Sequence, residues 1–272
     1  MININGELIS KNDYKITINN RGFKYGDAVF ETLKSSLNNI YFVEDHYFRL
    51  MSSMRMLRMN IPDYFNLEYF RDEIIKTIKV NKLEDLARVR FTVFRKDGGL
   101  YLPKTKDIDF IIEVEEFKIN DLSTYQIELY KDLPVLSGLL SNIKTNNRIV
   151  NVLASVYADD NGYDNCILLN EKKNIVEAIN ANVFLVTGNT IKTPALAEGC
   201  INGIIRKKII EIILKDDSYE LIETQISPFE LLHVDEVFLS NSIIDIQSVT
   251  EYRKKKYNIN VGKEIKKALR EL

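Results

Sequence analysis

Apolar residues recur along this chain with two spacings that alternate, two for strands and three to four for helices. Ile2, Ile4 and Leu8 flank Asn5-Gly6, which predicts a hairpin. Val29 to Leu33 and Ile40 to Val43 read as strands joined by a polar turn at Ser36–Asn39. Tyr47, Leu50, Met54, Leu57 and Ile61 then fall at helical steps, predicting a helix over Glu44–Asn60 that Pro62 stops. A second helix is expected over Leu67–Lys79. Val89, Phe91 and Val93 alternate with Arg88, Arg90 and Thr92, as in a half-buried strand, and Ile108–Val114 gives another.

The polar, charged stretch Glu115–Ser123 reads as a linker, dividing a small N-terminal domain at 1–115 from a larger one at 124–272. Beyond it the pattern predicts strands at Gln126–Tyr130, Cys166–Leu169, Val183–Val186, Thr190–Lys192 and Glu236–Ser240. Helices are expected at Asn147–Asp159 and Gly203–Leu214, with a closing helix from Val261. The apolar face of the Gly203 helix is Ile204, Ile205, Ile209, Ile212 and Ile213. No repeat or low-complexity segment interrupts this α+β order.

Composition narrows the class. The 272 residues, 45% hydrophobic and 28% charged, suffice for a sizeable core. Lys and Arg number 37 against 39 Asp and Glu, a net charge of −2 that gives no reason to expect nucleic-acid binding. The basic run Arg253–Lys256 reads as a solvated turn. Two cysteines, Cys166 and Cys200, suggest neither a disulfide framework nor a thiolate metal site, and two histidines cannot build a His-rich one. No nucleophile elbow accompanies His46 or His233. The N-terminus lacks a signal-peptide pattern, and no apolar run approaches a membrane helix, so a cytoplasmic protein without a membrane partner is expected.

Three segments carry the chemistry: Leu140 to Arg148, Ile175 to Phe184, and Glu198 to Arg206. In that order and spacing they resemble the core of the class IV, or fold-type IV, pyridoxal-phosphate enzymes. That group holds branched-chain aminotransferases, D-amino acid aminotransferases and aminodeoxychorismate lyases, and the resemblance extends over nearly the whole chain. It implies a two-domain α+β fold with a small N-terminal α/β domain and a larger C-terminal domain built on a pseudo-barrel sheet. It also implies pyridoxal 5'-phosphate as cofactor, small amino acids and 2-oxo acids as substrates, and a homodimer.

The resemblance also assigns residues. Lys144, in Ile143-Lys144-x-x-Asn147-Arg148, matches the Schiff-base lysine, whose amine must be neutral to attack and can then shuttle a proton. Glu177, ahead of Asn182-Val183-Phe184, matches the partner of the pyridine nitrogen, which keeps the ring an electron sink. Gly203 opens a helix, and the backbone N–H groups of Ile204 and Ile205 match the phosphate site, where the helix dipole favours an anion. Family members often have threonine where Ile205 stands. Asn241 and Ser242 follow the Glu236 strand, and Ser242 sits where a further phosphate hydroxyl is found. Arg49, in His46-x-x-Arg49-Leu50, matches an arginine that reaches the phosphate.

Arg21 to Glu31 matches a segment that lines the substrate pocket, making Tyr25 and Phe30 candidates for its wall. The loop Arg95-Lys96-Asp97-Gly98-Gly99-Leu100-Tyr101 departs from the R-G-x-G-G-R-G-Y pattern of many relatives. It is one residue shorter and puts Leu100 near the missing arginine, so Arg95, Tyr101 or backbone groups are the candidates for binding a substrate carboxylate. Ile149 stands where branched-chain enzymes often have tyrosine. The leading expectation is an aminotransferase acting on a branched-chain-like amino acid. The alternative is an aminodeoxychorismate lyase, forming 4-aminobenzoate and pyruvate.

Overall fold

The computed structural model describes residues 1–37, 39–118 and 122–272. The chain forms two units, Met1–Ile119 with Lys144–Asn147, and Asn120–Ile143 with Arg148–Leu272. The linker expected at Glu115–Ser123 and the turn expected at Ser36–Asn39 fall in part on residues 119–121 and 38, outside the described residues.

In the first unit, β1 (Ile2–Ile4) and β2 (Glu7–Ile9) form the hairpin about Asn5-Gly6, both at positive φ. The short helix α1 (Arg21–Tyr25) leads into β3 (Ala28–Ser36), β4 (Asn39–Ile40), helices α2 (Val43–Met56) and α3 (Leu67–Val80), and strands β5 (Ala87–Arg95) and β6 (Ile108–Glu116). The sheet runs β2-β1-β6-β5-β3-β4, antiparallel throughout. Its inner face buries Leu33, Val89, Phe91, Val93, Phe110 and Ile112 against Leu50, Met54, Phe70, Ile74 and Ile78 of α2 and α3. Phe91 is the hub, with ring centroids 4.7 Å from Phe70 and 5.0 Å from Phe110. Truncating such a residue to alanine costs about 3–5 kcal/mol.

Two boundaries move for local reasons. The expected strand Ile40–Val43 stops at Ile40, because Phe42 turns the chain with φ 54° and α2 begins at Val43. Helix α2 ends at Met56, short of Asn60, so Pro62 is not its terminator. Arg58 adopts φ 55°, and the Arg95 guanidinium takes up the carbonyls of Leu57 (2.7 Å) and Arg58 (3.3 Å). A cation bound to the last carbonyls of a helix satisfies orphan acceptors and opposes the dipole.

The second unit holds β7 (Gln126–Val135), α4 (Ile149–Asp160), β8 (Asn165–Asn170), β9 (Ile175–Ala178), β10 (Asn182–Thr187), β11 (Thr190–Pro194), α5 (Ile204–Ile213), β12 (Glu220–Thr224), β13 (Glu236–Asn241), β14 (Asp245–Val249), β15 (Glu251–Tyr252), β16 (Lys255–Lys256) and α6 (Asn260–Leu269). They make two five-stranded sheets, β12-β11-β10-β13-β14 and β16-β15-β7-β8-β9. Ile127, Leu129, Ile167, Ile175, Val183, Leu185, Val237 and Leu239 form their common core. β7 and β8 are parallel, so α4 is the crossover helix that returns the chain between them. It packs Ala154 and Ala158 against Tyr130, Cys166 and Leu168. β10 and β13 are antiparallel neighbours in register from Asn182 opposite Ser240, which places those two side chains on one face of the sheet.

Candidate active site

Lys144 belongs to the first unit, although its neighbours in sequence on both sides belong to the second. Two main-chain hydrogen bonds hold it there. Phe30 N–H donates to the Lys144 carbonyl (2.9 Å) and Asn146 N–H donates to the Ala28 carbonyl (3.1 Å), which together make Thr145 the antiparallel bridge partner of Val29. The segment thus extends the edge of β3. Asn147 continues it, its amide donating to the Gly26 carbonyl (3.1 Å), and a Cβ on Gly26 would fall 2.3 Å from the Asn147 amide oxygen. Gly26 also adopts φ 62°, which favours glycine.

The Lys144 ammonium lies 4.7 Å from the centre of the Phe30 ring. The Arg90 guanidinium lies 3.7 Å from the same ring and donates to the Asn146 side chain (3.2 Å). Each ring–cation contact is worth about 0.5–2 kcal/mol. Burial, then the charge of Arg88, lowers the pKa of Arg90. Arg90 was not among the residues expected at a site. Its signal was the alternation of β5, which puts residues 88, 90 and 92 on the face away from the core, Arg90 opposite Thr32.

On the other face of β3, Glu31 is 1% exposed and accepts from Arg49 Nε (2.8 Å) and Nη2 (2.5 Å) in a fork-to-fork pair. His46 Nδ1 lies 2.6 Å from the same carboxylate. Burial alone would raise the Glu31 pKa. The charge and hydrogen bonds of Arg49, joined by those of His46, outweigh it and carry it down to about 2. Burial lowers the His46 pKa despite Glu31, so His46 is neutral and Nδ1–H donates. The H-x-x-R spacing places His46 and Arg49 one turn apart on α2; no sequence signal named Glu31 as their common anchor.

The remaining first-unit candidates lie in and around the loop after β5. Arg95 is 7% exposed, and beyond capping α2 it pairs with Asp27 through Nε (2.9 Å) and Nη2 (3.3 Å). Arg21 also pairs with Asp27 (2.9 Å) and donates to the carbonyls of Gly98, Leu100 and Tyr101. The loop is thereby pinned through its backbone while its side chains face out, with Tyr101 90% exposed. The Tyr101 ring packs on Tyr25 at 5.7 Å, and the Arg21 guanidinium lies 4.9 Å from the Tyr25 ring.

In the second unit, Glu177 ends up 5% exposed on β9, with its carboxylate accepting from Ile201 N–H (2.8 Å). Asn182 donates to the Ile201 carbonyl (2.9 Å). Both strands therefore fix the turn before α5. A Cβ at Gly203 would lie 2.0 Å from the Asn182 side-chain oxygen, so any side chain there would displace Asn182 from the turn it holds. Gly203 is the N-cap of α5 and supplies no side-chain cap to it. Ile204 and Ile205 are buried, leaving their backbone as the available donors there. Across the sheet from Asn182, the Ser240 hydroxyl is buried and has no hydrogen-bond partner among the described residues. Asn241 accepts from the N–H groups of Ile243 (2.9 Å) and Ile244 (3.0 Å), forming the turn that carries Ser242.

A helix N-terminus opened by a glycine, with its first backbone N–H groups as donors, suits a phosphate ester. A buried carboxylate such as Glu177 suits a protonated ring nitrogen. Among the described residues no group of three or more His, Cys, Asp or Glu is placed to hold a metal ion. No helix of the described residues is long and apolar enough to cross a membrane.

The architecture is that of the fold-type IV enzymes. A branched-chain aminotransferase from Thermoproteus uzoniensis, solved with norvaline, superposes with a TM-score of 0.90 at 22% identity, covering 99% of this chain and 93% of that one. Residues 28–252 match the amino-transferase class IV family, and the chain belongs to it. Enzymes of this family use pyridoxal phosphate. Among its relatives, a putative branched-chain-amino-acid aminotransferase of Methanocaldococcus jannaschii is 29% identical, across 99% of this chain and 94% of that protein. An aminodeoxychorismate lyase of Vibrio harveyi is 24% identical, across 86% of each.

Proposed function

We propose that this protein is a pyridoxal-phosphate aminotransferase that moves an amino group between a branched-chain-like amino acid and a 2-oxo acid. The observation that carries this reading is the seat of Lys144. Main-chain bonds hold it on a sheet edge, with its amine against the Phe30 ring and Arg90 on the same ring. The cofactor, when bound, supplies an aldehyde that takes up the amino group and a ring that draws electrons from the substrate α-carbon. Lys144 Nζ is the covalent anchor and, once displaced, carries the α-proton.

The other residues bind and orient. Glu177 holds the proton on the ring nitrogen. The N–H groups of Ile204 and Ile205, the hydroxyl of Ser242 and the guanidinium of Arg49 hold the phosphate. Glu31 sets the direction of Arg49, and Asn182, Gly203 and Asn241 shape the turns that present these donors. Phe30, Tyr25 and Tyr101 form the substrate wall, with Phe30 keeping water from one side of the Lys144 amine. Arg90 meets the substrate carboxylate, because the Arg95 donors are already engaged by Asp27, Leu57 and Arg58.

The second reading is an aminodeoxychorismate lyase. It is favoured by Ile149, in place of the tyrosine frequent in branched-chain enzymes, and by the likeness to the Vibrio harveyi lyase. Both reactions begin by removing the same α-proton. They part when that proton returns or when a β-substituent leaves. Half-reactions of the cofactor-loaded enzyme with L-leucine, L-glutamate and D-alanine, beside aminodeoxychorismate, separate them. Conversion of the yellow enzyme to its pyridoxamine form by L-leucine is the expected result. No conversion, with 4-aminobenzoate released from aminodeoxychorismate, would replace the proposal with the lyase. Lys144→Ala should lower either activity at least about 1000-fold. The working assembly is read as a homodimer, for which light scattering should give twice the chain mass.

A further inference from the structure

Helix α6 has one apolar face and one cationic face. Gly262, Ile265 and Leu269 are buried where the helix meets α5, β13 and β14. Lys263, Lys266, Lys267 and Arg270 fall at i, i+3, i+4, i+7 steps and so form a single stripe. This stripe walls a groove of about 580 Å³, whose other side is built by Ile246, Ser248 and Thr250, on and just after β14, and by Ser123. Gly262 sets the close approach of the two walls, since a Cβ there would lie 2.9 Å from the Ser248 hydroxyl oxygen.

A helix face that only meets water usually mixes its charges. Here four cations stand against one acid, Glu271, among the described residues of the lining, in a chain whose net charge is −2. Like charges three and four positions apart on a helix repel, and every member of the stripe has two such neighbours. The helix dipole accounts for Lys266, Lys267 and the C-cap Arg270, because cations are favoured at that end. It does not account for Lys263, which lies in the first turn, at the positive end. The acid at that end is Glu236. It is buried, and its oxygens accept from the N–H groups of Asn260 (2.8 Å), Val261 (3.1 Å) and Gly262 (3.3 Å). Lys263 therefore serves the groove rather than the helix. The hydroxyls of Ser123 and Ser248 add uncharged donors, and buried Ile246 gives an apolar floor. A few polar groups converging on a concave, partly apolar surface is the usual form of a small-molecule site.

We propose that the groove between α6 and β14 binds a small molecule that carries a chain of phosphates. Lys263, Lys267 and Arg270, all exposed, meet the phosphate oxygens, with Lys266 beside them. The stripe runs roughly 10 Å from Lys263 to Arg270, longer than one phosphate and suited to several in a row. A lone carboxylate would meet one end of it and leave the other cations facing each other. A nucleic acid would need a basic surface wider than one helix face, on a chain that is acidic overall. The groove shares no lining residue with Glu177, Gly203 or Ser242, so this reading stands apart from the proposed chemistry.

Isothermal titration of the full chain with tripolyphosphate, ATP and adenosine tests it, after loading with pyridoxal phosphate and desalting so that the candidate cofactor site is filled. The expected result is saturable binding of ATP at one site per chain, weakening as salt is raised. A Lys263→Gln/Lys267→Gln/Arg270→Gln variant should bind at least about 10-fold more weakly, with unchanged far-UV circular dichroism, because all three side chains are exposed. Tripolyphosphate binding as well as ATP would assign the groove to the phosphate chain itself, and ATP binding alone would assign it to a nucleotide. No binding of either, equal binding by the variant, or adenosine binding as tightly as ATP would overturn the proposal. Lysine acetylation of the wild type gives a second readout that needs no variant. Excess ATP should protect Lys263 and Lys267 and leave the exposed Lys215 unchanged, and unaltered labelling at both groove lysines overturns the proposal. Neither readout bears on the half-reactions that test the chemistry.

Discussion

Glu31→Gln is the sharpest probe of the buried cluster on the helix side of β3. It removes one negative charge and keeps the shape. Left behind are Arg49, its side chain 11% exposed, and a neutral His46 whose donor loses a charged acceptor. Removing one partner of a buried ion pair costs about 3–5 kcal/mol. The depressed pKa of Glu31 points to the same scale. The Glu31 pKa falls from 4.5 to about 2 on folding, which corresponds to roughly 3 kcal/mol at neutral pH. The folded-state pKa is depressed, so this stabilisation is fully present above pH 4.5 and is lost as pH falls toward about 2. Urea denaturation of wild type and Glu31→Gln, followed by circular dichroism at steps from pH 7 to pH 3, reads both effects. The variant should be about 3 kcal/mol less stable at pH 7, and the gap should narrow on acidification because the wild type loses what the variant already lacks. A variant within about 0.5 kcal/mol of wild type at pH 7, or a gap that stays constant to pH 3, would refute the assignment.

His46→Asn tests the neighbouring titration. The folded-state pKa of His46 is lowered from 6.5, so wild-type stability should begin to fall below about pH 6.5, and the Asn variant should lack that first decline in the same denaturation series. Gly203→Ala drives a methyl into the Asn182 side chain and should weaken pyridoxal-phosphate binding at least about 10-fold in a fluorescence titration, while Gly188→Ala, in open space, serves as the control despite its strained backbone. Arg90→Met should raise KM for the amino acid about 10- to 100-fold with a smaller change in kcat, and an equal fall in kcat with unchanged KM would argue against a carboxylate contact.

Long periodic elements were legible in the sequence because one face of each is buried. Helix α3 and strands β5 and β6 lie close to where their apolar spacing puts them. Elements set by contacts distant in sequence were not. Strand β9 lies within a motif read for chemistry, β12 and β14 have mixed polar patterns, and the early end of α2 depends on Arg95, which lies 37 residues beyond Arg58. The candidate site divides in the same way. Lys144, Glu177 and Gly203 stand out through motifs. Arg90 and Glu31 become visible only when strand pairing shows which neighbour each side chain meets, and a carboxylate buried between an arginine and a histidine has no local sequence mark.

The four residues Lys144–Asn147 complete the edge of β3 from more than a hundred positions away in the chain. The Lys144 side chain is therefore placed by a strand encoded near the N-terminus rather than by the polypeptide on either side of it. A recombination or fragment boundary drawn near residue 119 would hand the lysine to one piece and its support to the other. Chimeras between members of this family should keep Ala28–Phe30 and Lys144–Asn147 from the same parent, as a matched pair inherited together.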